Sequence, residues 1–459
     1  MVANHLAPGS SVPVACGDRC RRRRRLFYIV YIVAVGLAAM LTSVCGVGAS
    51  SSAPTVPAAT PLPAEYDASE SAIRFLEDRV NRHPLDFMAY NTLAGYYLQR
   101  QRETGNMTYL ELASRATRAS LAVIPAANNV GGLSALTQVA YASHDFAAAR
   151  DQALQLTQHD PSKSYPYAIL GDALLELGDY DSATEAYRKM QEFGISMHGE
   201  TRQARLALLR GQPDLATQHF ANAVILALEL RTPSRETVAW CRWQLGETAF
   251  SIGDYATAER HYRDALITFP GYHRALAALG RVLAARGNAA GAIAQYEYVT
   301  RILPDPSFAA ALGDLYKLAG RDREAAAQYA LIEHIARLSA LNGALYNRQL
   351  ALFYADHDMK VEDAYAAAAK EYETRRDIYG ADAVAWTALK AGKIAEAQAA
   401  MHEALKLGTR DAKLYYHAGM IAQAAGDKAA ASDYLQRALQ LNPQFDPLQS
   451  AVARKALEP

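Results

Sequence analysis

The sequence predicts an all-α chain: a solenoid of stacked antiparallel helix pairs, preceded by one transmembrane or signal helix. Three observations carry this expectation. A set of glycine, alanine, tyrosine and proline positions recurs near every 34 residues, alanine is abundant in a chain that is 51% hydrophobic, and one uncharged run follows a block of arginines. Alanine favours helices and lets them approach closely. The 27 tyrosines against 11 phenylalanines suit many small helical interfaces better than one large core.

The amino-terminal helix comes first. Arg19 and Arg21–Arg25 set six positive charges against Asp18, and the rest of the chain holds 41 basic and 46 acidic residues, a net of −5. Residues 1–25 therefore read as a basic cytoplasmic tail. Leu26–Gly48 is 23 residues without a charge, and about 20 apolar residues span a bilayer as a helix. Basic residues before such a run keep the amino terminus in the cytoplasm. The length exceeds an ordinary signal core, which favours an uncleaved anchor with the body outside the cytoplasm, while Val47-Gly48-Ala49 offers a cleavage site and hence secretion as the alternative. Leu41–Cys45 is a poor lipoprotein box, because Val44 is too large before Cys45. Arg24-Arg25-Leu26-Phe27 matches part of a twin-arginine signal, a match that a run of five arginines makes by default. Residues 49–64, rich in Ser, Ala, Thr and Pro, read as a disordered or semi-extended spacer that holds the body off the membrane.

The body, residues 65–443, is the repeat array. Gly246, Ala258, Tyr262 and Pro270 stand at gaps of 12, 4 and 8, and Gly280, Ala292, Tyr296 and Pro304 repeat those gaps. Gly313, Ala325 and Tyr329 follow, Gly171, Ala183 and Tyr187 precede, and Gly419, Ala431, Leu435 and Pro443 close the series. The glycine and alanine let two helices press together. The residue four after the alanine fills the same face, and proline ends the second helix. Gly178-Asp179, Gly253-Asp254, Gly287-Asn288 and Gly426-Asp427 read as the turn inside each pair, a left-handed glycine followed by a helix cap. Weaker units are marked by Ala149/Ala153/Pro161, Ala216/Phe220/Ala223 and Ala397/Met401/Ala404. With residues 86–125 and 341–372 counted, there are about ten units. Residues 444–459 read as a polar-faced cap or tail.

This periodic set resembles the tetratricopeptide-repeat (TPR) family over most of the chain after residue 65. The resemblance implies a right-handed superhelix with a concave groove that holds protein or peptide partners. Two departures are the missing early tryptophan in most units and the irregular stretches 195–235 and 330–375. Aligned on the glycines, the family's groove positions fall on Tyr165, Asp172, Trp240, Trp243, Glu247, Arg274, Arg281, Asp314, Lys317, Lys413 and Tyr416, with Ala168 and Met420. Trp240 and Trp243, three apart on one helical face, are either exposed binding hot spots or ordinary core. The lysine–asparagine clamp of chaperone-binding members is not matched.

Other chemistry is sparse. No phosphate loop, dinucleotide fingerprint, nucleophile elbow or His-Glu-x-x-His motif occurs. Asp356-His357-Asp358 reads as a polar turn, since neighbours in a turn rarely aim at one ion. Cys16, Cys20, Cys45 and Cys241 form neither a disulfide framework nor a metal set. The mildly acidic body gives no general attraction for nucleic acid. The expectation is therefore a non-enzymatic scaffold without cofactor, at or beyond the cytoplasmic membrane, with assembly of an envelope or secretion complex as its setting; a binding module for a cell-wall polymer or small molecule is the alternative.

Overall fold

The computed structural model describes residues 53–62, 66–342 and 347–458. The basic tail, Leu26–Gly48 and the three amino-terminal cysteines lie outside the described residues. Among those described there are 22 α-helices and no strand, and no helix is long and apolar enough to cross a membrane.

After α1 (Tyr66–Arg82) the helices run as ten antiparallel pairs. They are α2/α3 (Phe87–Thr104, Thr108–Val123), α4/α5 (Val130–Ala142, Phe146–His159), α6/α7 (Ser164–Glu176, Tyr180–Gln191), α8/α9 (Met197–Leu209, Pro213–Leu228) and α10/α11 (Arg235–Ser251, Tyr255–Thr268). Next come α12/α13 (His273–Ala285, Ala289–Ile302), α14/α15 (Pro306–Leu318, Asp322–Asn342), α16/α17 (Asn347–Asp356, Val361–Tyr372), α18/α19 (Ile378–Lys390, Ile394–Leu405) and α20/α21 (Ala412–Ala424, Lys428–Leu441). A last helix, α22 (Gln449–Ala456), packs on α21. The long α15 and short α16 account for the irregular stretch after residue 330.

The turns inside the pairs take the conformation their sequences require. Gly178, Gly253, Gly287 and Gly426 all sit at φ near +80°, where a side chain would be strained. The next residue caps the second helix: Asp179 accepts from Ser182 N at 3.1 Å, Asp254 from Thr257 N at 3.1 Å, and Asn288 from Gly291 N at 2.9 Å. Packing follows the same repeat. Tyr187 and Tyr262 are at most 1% exposed, and full burial of such a ring stabilises by roughly 2–3 kcal/mol. A Cβ on Gly246 would stand 2.3 Å from Tyr262 Cε1, and one on Gly171 would stand 2.3 Å from Tyr187 Cε1. The glycine is the hole into which the tyrosine ring fits.

Tertiary structure adds a seam that no repeat position announces. Turns inside pairs meet connections between pairs about 200 residues further on. Tyr180 Oη accepts from Ile378 N at 2.8 Å, Tyr255 Oη donates to Asn442 Oδ1 at 2.6 Å, and Asn442 Nδ2 donates to Phe250 O at 2.7 Å. Thr409 Oγ1 bonds to Leu209 O. Glu176, 6% exposed, takes both Arg205 of α8 and Arg375 beyond α17. One superhelical turn of about six pairs therefore closes on itself, and the concave face becomes a lumen.

The spacer expectation needs correction over residues 53–62. That segment forms no regular secondary structure and lies against the array: Val56 and Leu62 pack on the core formed by α8, α9 and α10. Its prolines favour an extended backbone, and Val56 and Leu62 bury against a surface that local sequence does not reveal.

Candidate functional site: the lumen of the superhelix

The lumen holds a cavity of about 870 Å³. Its walls are mainly the first helices of five pairs: Trp243 and Glu247 from α10, Arg274 and Arg281 from α12, Asp314 from α14, Asp356 from α16 and Lys413 from α20. The turn after α2 adds Gly105 and Met107, and the segment Gln444–Pro447 closes one side. First helices face inward because the second helix of each pair covers their other side.

Most lumen charges are internally matched. Glu247 Oε1 accepts from Tyr262 Oη at 2.8 Å and Arg281 Nη2 at 2.6 Å. Asp314 Oδ1 accepts from Tyr329 Oη at 2.8 Å and pairs with His357 Nε2 at 2.8 Å. His357 Nδ1 lies 2.7 Å from Phe353 O, so each ring nitrogen faces an acceptor, an arrangement that favours the doubly protonated form. Burial pulls the His357 pKa down, but the hydrogen bond and charge of Asp314 outweigh it and the net shift is upward. Asp356 accepts from Trp386 Nε1 at 2.7 Å, Gln449 Nε2 at 2.6 Å and Lys413 Nζ at 3.2 Å.

Trp243 and Arg274 differ from these matched groups. The Arg274 guanidinium stands 5.4 Å over the Trp243 ring, a cation–π geometry. Arg274 is exposed, and no carboxylate pairs with it among the described contacts. The indole N–H of Trp243 is buried without an acceptor among the described residues. A buried, unbonded donor is costly, and the exposed Arg274 cation beside it is open to a carboxylate or carbonyl from the lumen.

Six of the eleven residues expected in the groove line this cavity: Trp243, Glu247, Arg274, Arg281, Asp314 and Lys413. The others do not. Tyr416 was expected to face a ligand and is instead core, 3% exposed, because Phe445 folds over its ring at 5.4 Å. Trp240 is half-buried, edge-on to Phe220 at 6.2 Å. Asp172 is held by Tyr187 and Arg202, each within 2.8 Å. Lys317 is exposed and pairs with Asp322 at 2.7 Å, and Tyr165 sits at the surface with its hydroxyl 3.4 Å from Asp160. The aligned positions repeat, but the superhelix points only its middle and later pairs into one cavity.

Sequence reasoning passed over Asp356 and His357 as a turn. Asp356 ends α16, and the three side chains go to different places: Asp356 to Lys413, His357 to Asp314, and Asp358 outward to Lys390 at 2.8 Å. A usable signal did exist for the tyrosine–carboxylate bonds: an acid follows Gly171, Gly246 and Gly313, each with a tyrosine sixteen residues after the glycine.

Comparison with known proteins agrees with this repeat reading. Family models described as tetratricopeptide repeat match residues 197–266 and residues 135–197, 244–306 and 384–444. No curated protein matches the chain. Among solved structures, a tetratricopeptide repeat protein from Parabacteroides merdae is 17% identical, with 57% of this chain and 98% of that one covered and a TM-score of 0.32. A structure of MamA is 18% identical, with 44% and 96% covered and a TM-score of 0.22. The chain thus carries tetratricopeptide repeats, matched over residues 135–306 and 384–444.

Proposed function

We propose that this protein is a non-catalytic interaction scaffold that grips an extended segment of a partner protein in its lumen, with Trp243 and Arg274 as the anchor. Tetratricopeptide repeats typically mediate protein–protein interactions, and stacked repeats present long concave binding surfaces. The observation that carries the reading is the exposed Arg274 cation stacked on the Trp243 ring in the lumen wall, with no carboxylate partner among the described contacts. An acidic side chain or peptide carbonyl would pair with that cation. The five arginines before Leu26–Gly48 support a body tethered at the cytoplasmic membrane on its outer side, with secretion after cleavage as the alternative. Work within an envelope or secretion complex fits such a placement.

The test is crosslinking of the tagged full chain in its native cells, with partners identified by mass spectrometry. Parallel samples carry Trp243→Ala or Arg274→Ala. A protein captured by the unaltered chain and lost from both folded variants supports the reading. Equal capture by the variants, or none above the tag control, defeats it. The cavity volume, within the usual small-ligand range of about 300–1,000 Å³, favours one second reading: a polymer or small molecule in the same lumen, detectable as a thermal shift without any protein partner.

A further inference from the structure

A second site lies away from the lumen, under the segment Ala53-Pro-Thr-Val-Pro-Ala-Ala-Thr-Pro-Leu62. Val56 and Leu62 are half-buried against the core of α8, α9 and α10. Arg242 Nη2 donates to Pro57 O at 2.9 Å, and Leu62 N donates to Thr268 O at 3.4 Å. The floor of this groove is short of acceptors. Arg242 is 1% exposed, yet its Nε and Nη1 make no hydrogen bond among the described residues, and the Asp264 carboxylate stays 3.8 Å away.

We propose that this groove is a binding site for extended, proline-containing peptides, occupied in cis by residues 53–62 and open to competition from such a segment of a partner protein. The chemistry is complementary. Each proline keeps its carbonyl and lacks an N–H, so a proline-rich strand brings surplus acceptors to a groove with surplus donors. Pro54, Pro57 and Pro61 also pre-set the extended backbone, which lowers the ordering cost of binding. The cis segment is lightly held, by one hydrogen bond from the Arg242 side chain, one backbone hydrogen bond and two aliphatic side chains among the described contacts. Small, lightly packed elements of this kind open at low free energy. Displacement would free ten residues, about 30 Å of extended chain, between the array and whatever precedes it. This inference is independent of the lumen reading.

The test uses the full chain and a fluorescein-labelled peptide, APTVPAATPL. Val56→Asp with Leu62→Asp should release the cis segment and raise peptide affinity at least tenfold over the unaltered chain. A peptide with its three prolines replaced by alanine should bind at least tenfold more weakly. Circular dichroism checks that the double variant keeps its helices. A second measurement leaves the protein unaltered: excess peptide should speed hydrogen exchange at the Leu62 amide. Equal affinity for the released and unaltered chains overturns the proposal, as does equal binding of the alanine peptide or unchanged exchange at Leu62. A dimer whose formation depends on Val56 and Leu62 would overturn it in favour of exchange between copies. Trp243→Ala should leave this binding unaltered, so failure here is distinct from failure of the lumen reading.

Discussion

Tyr262 Oη donates to Glu247 Oε1 at 2.8 Å, and the same bond joins Tyr187 to Asp172 and Tyr329 to Asp314, each at 2.8 Å. A core aromatic of the second helix thus steadies an inward-facing acid of the first. A basic side chain from a later element then meets that acid: Arg281 for Glu247, Arg202 for Asp172, His357 for Asp314. Tyr262→Phe keeps the ring and removes the bond, so it should cost about 1 kcal/mol, read as a lower urea midpoint with an unchanged slope.

Gly246→Ala should destabilise by more. Its Cβ would meet the Tyr262 ring at 2.3 Å, and overpacking of this kind costs roughly 1–3 kcal/mol. Gly95→Ala is the control, because nothing lies within 4 Å of a Cβ there; it should stabilise by about 0.4–1 kcal/mol. Thermal melts of the two variants should move in opposite directions.

The seam should weaken in acid. Burial alone would raise Glu176, but Arg205 and Arg375 outweigh it and hold the carboxyl at about 2. A depressed folded-state pKa means the contribution is complete above the unfolded value near 4.5 and is lost as pH falls towards 2. That difference corresponds to about 3 kcal/mol. The unaltered chain should lose stability across this window, and Glu176→Gln should flatten the loss, as measured by denaturation at stepped pH.

His357 should titrate above an ordinary histidine, since Asp314 holds its cationic form against the effect of burial. A raised folded-state pKa stabilises fully below about 6.5 and ceases to do so as pH rises through the folded value. NMR titration of the imidazole should show this, and Asp314→Asn should bring its pKa down.

Cys241 is 0% exposed, and burial pushes its thiol well above the usual range. Iodoacetamide should leave it unmodified in the native protein and label it in denaturant, with mass spectrometry resolving it from the other cysteines.

Much of the architecture was legible because it is local. The glycine–acid turn, the alanine beside the aromatic and the closing proline each act within about 34 residues, so their spacing alone placed helices and pair turns. The inward face of each first helix followed from the same period, which is why Trp243, Glu247, Arg274, Arg281, Asp314 and Lys413 could be named. Tyr416 could not be sorted from them: its burial depends on Phe445, which arrives from beyond the array.

The sequence by itself determined a repeating helical solenoid, because each repeat position answers to neighbours within its own unit or the next. Only the tertiary structure decided that the groove is a closed lumen, that Glu176 meets Arg375 across the seam, and that residues 53–62 lie in a groove rather than stand free. Those contacts join residues about 200 apart in the chain, and they depend on superhelical pitch, a small rotation summed over six pairs that no single unit encodes.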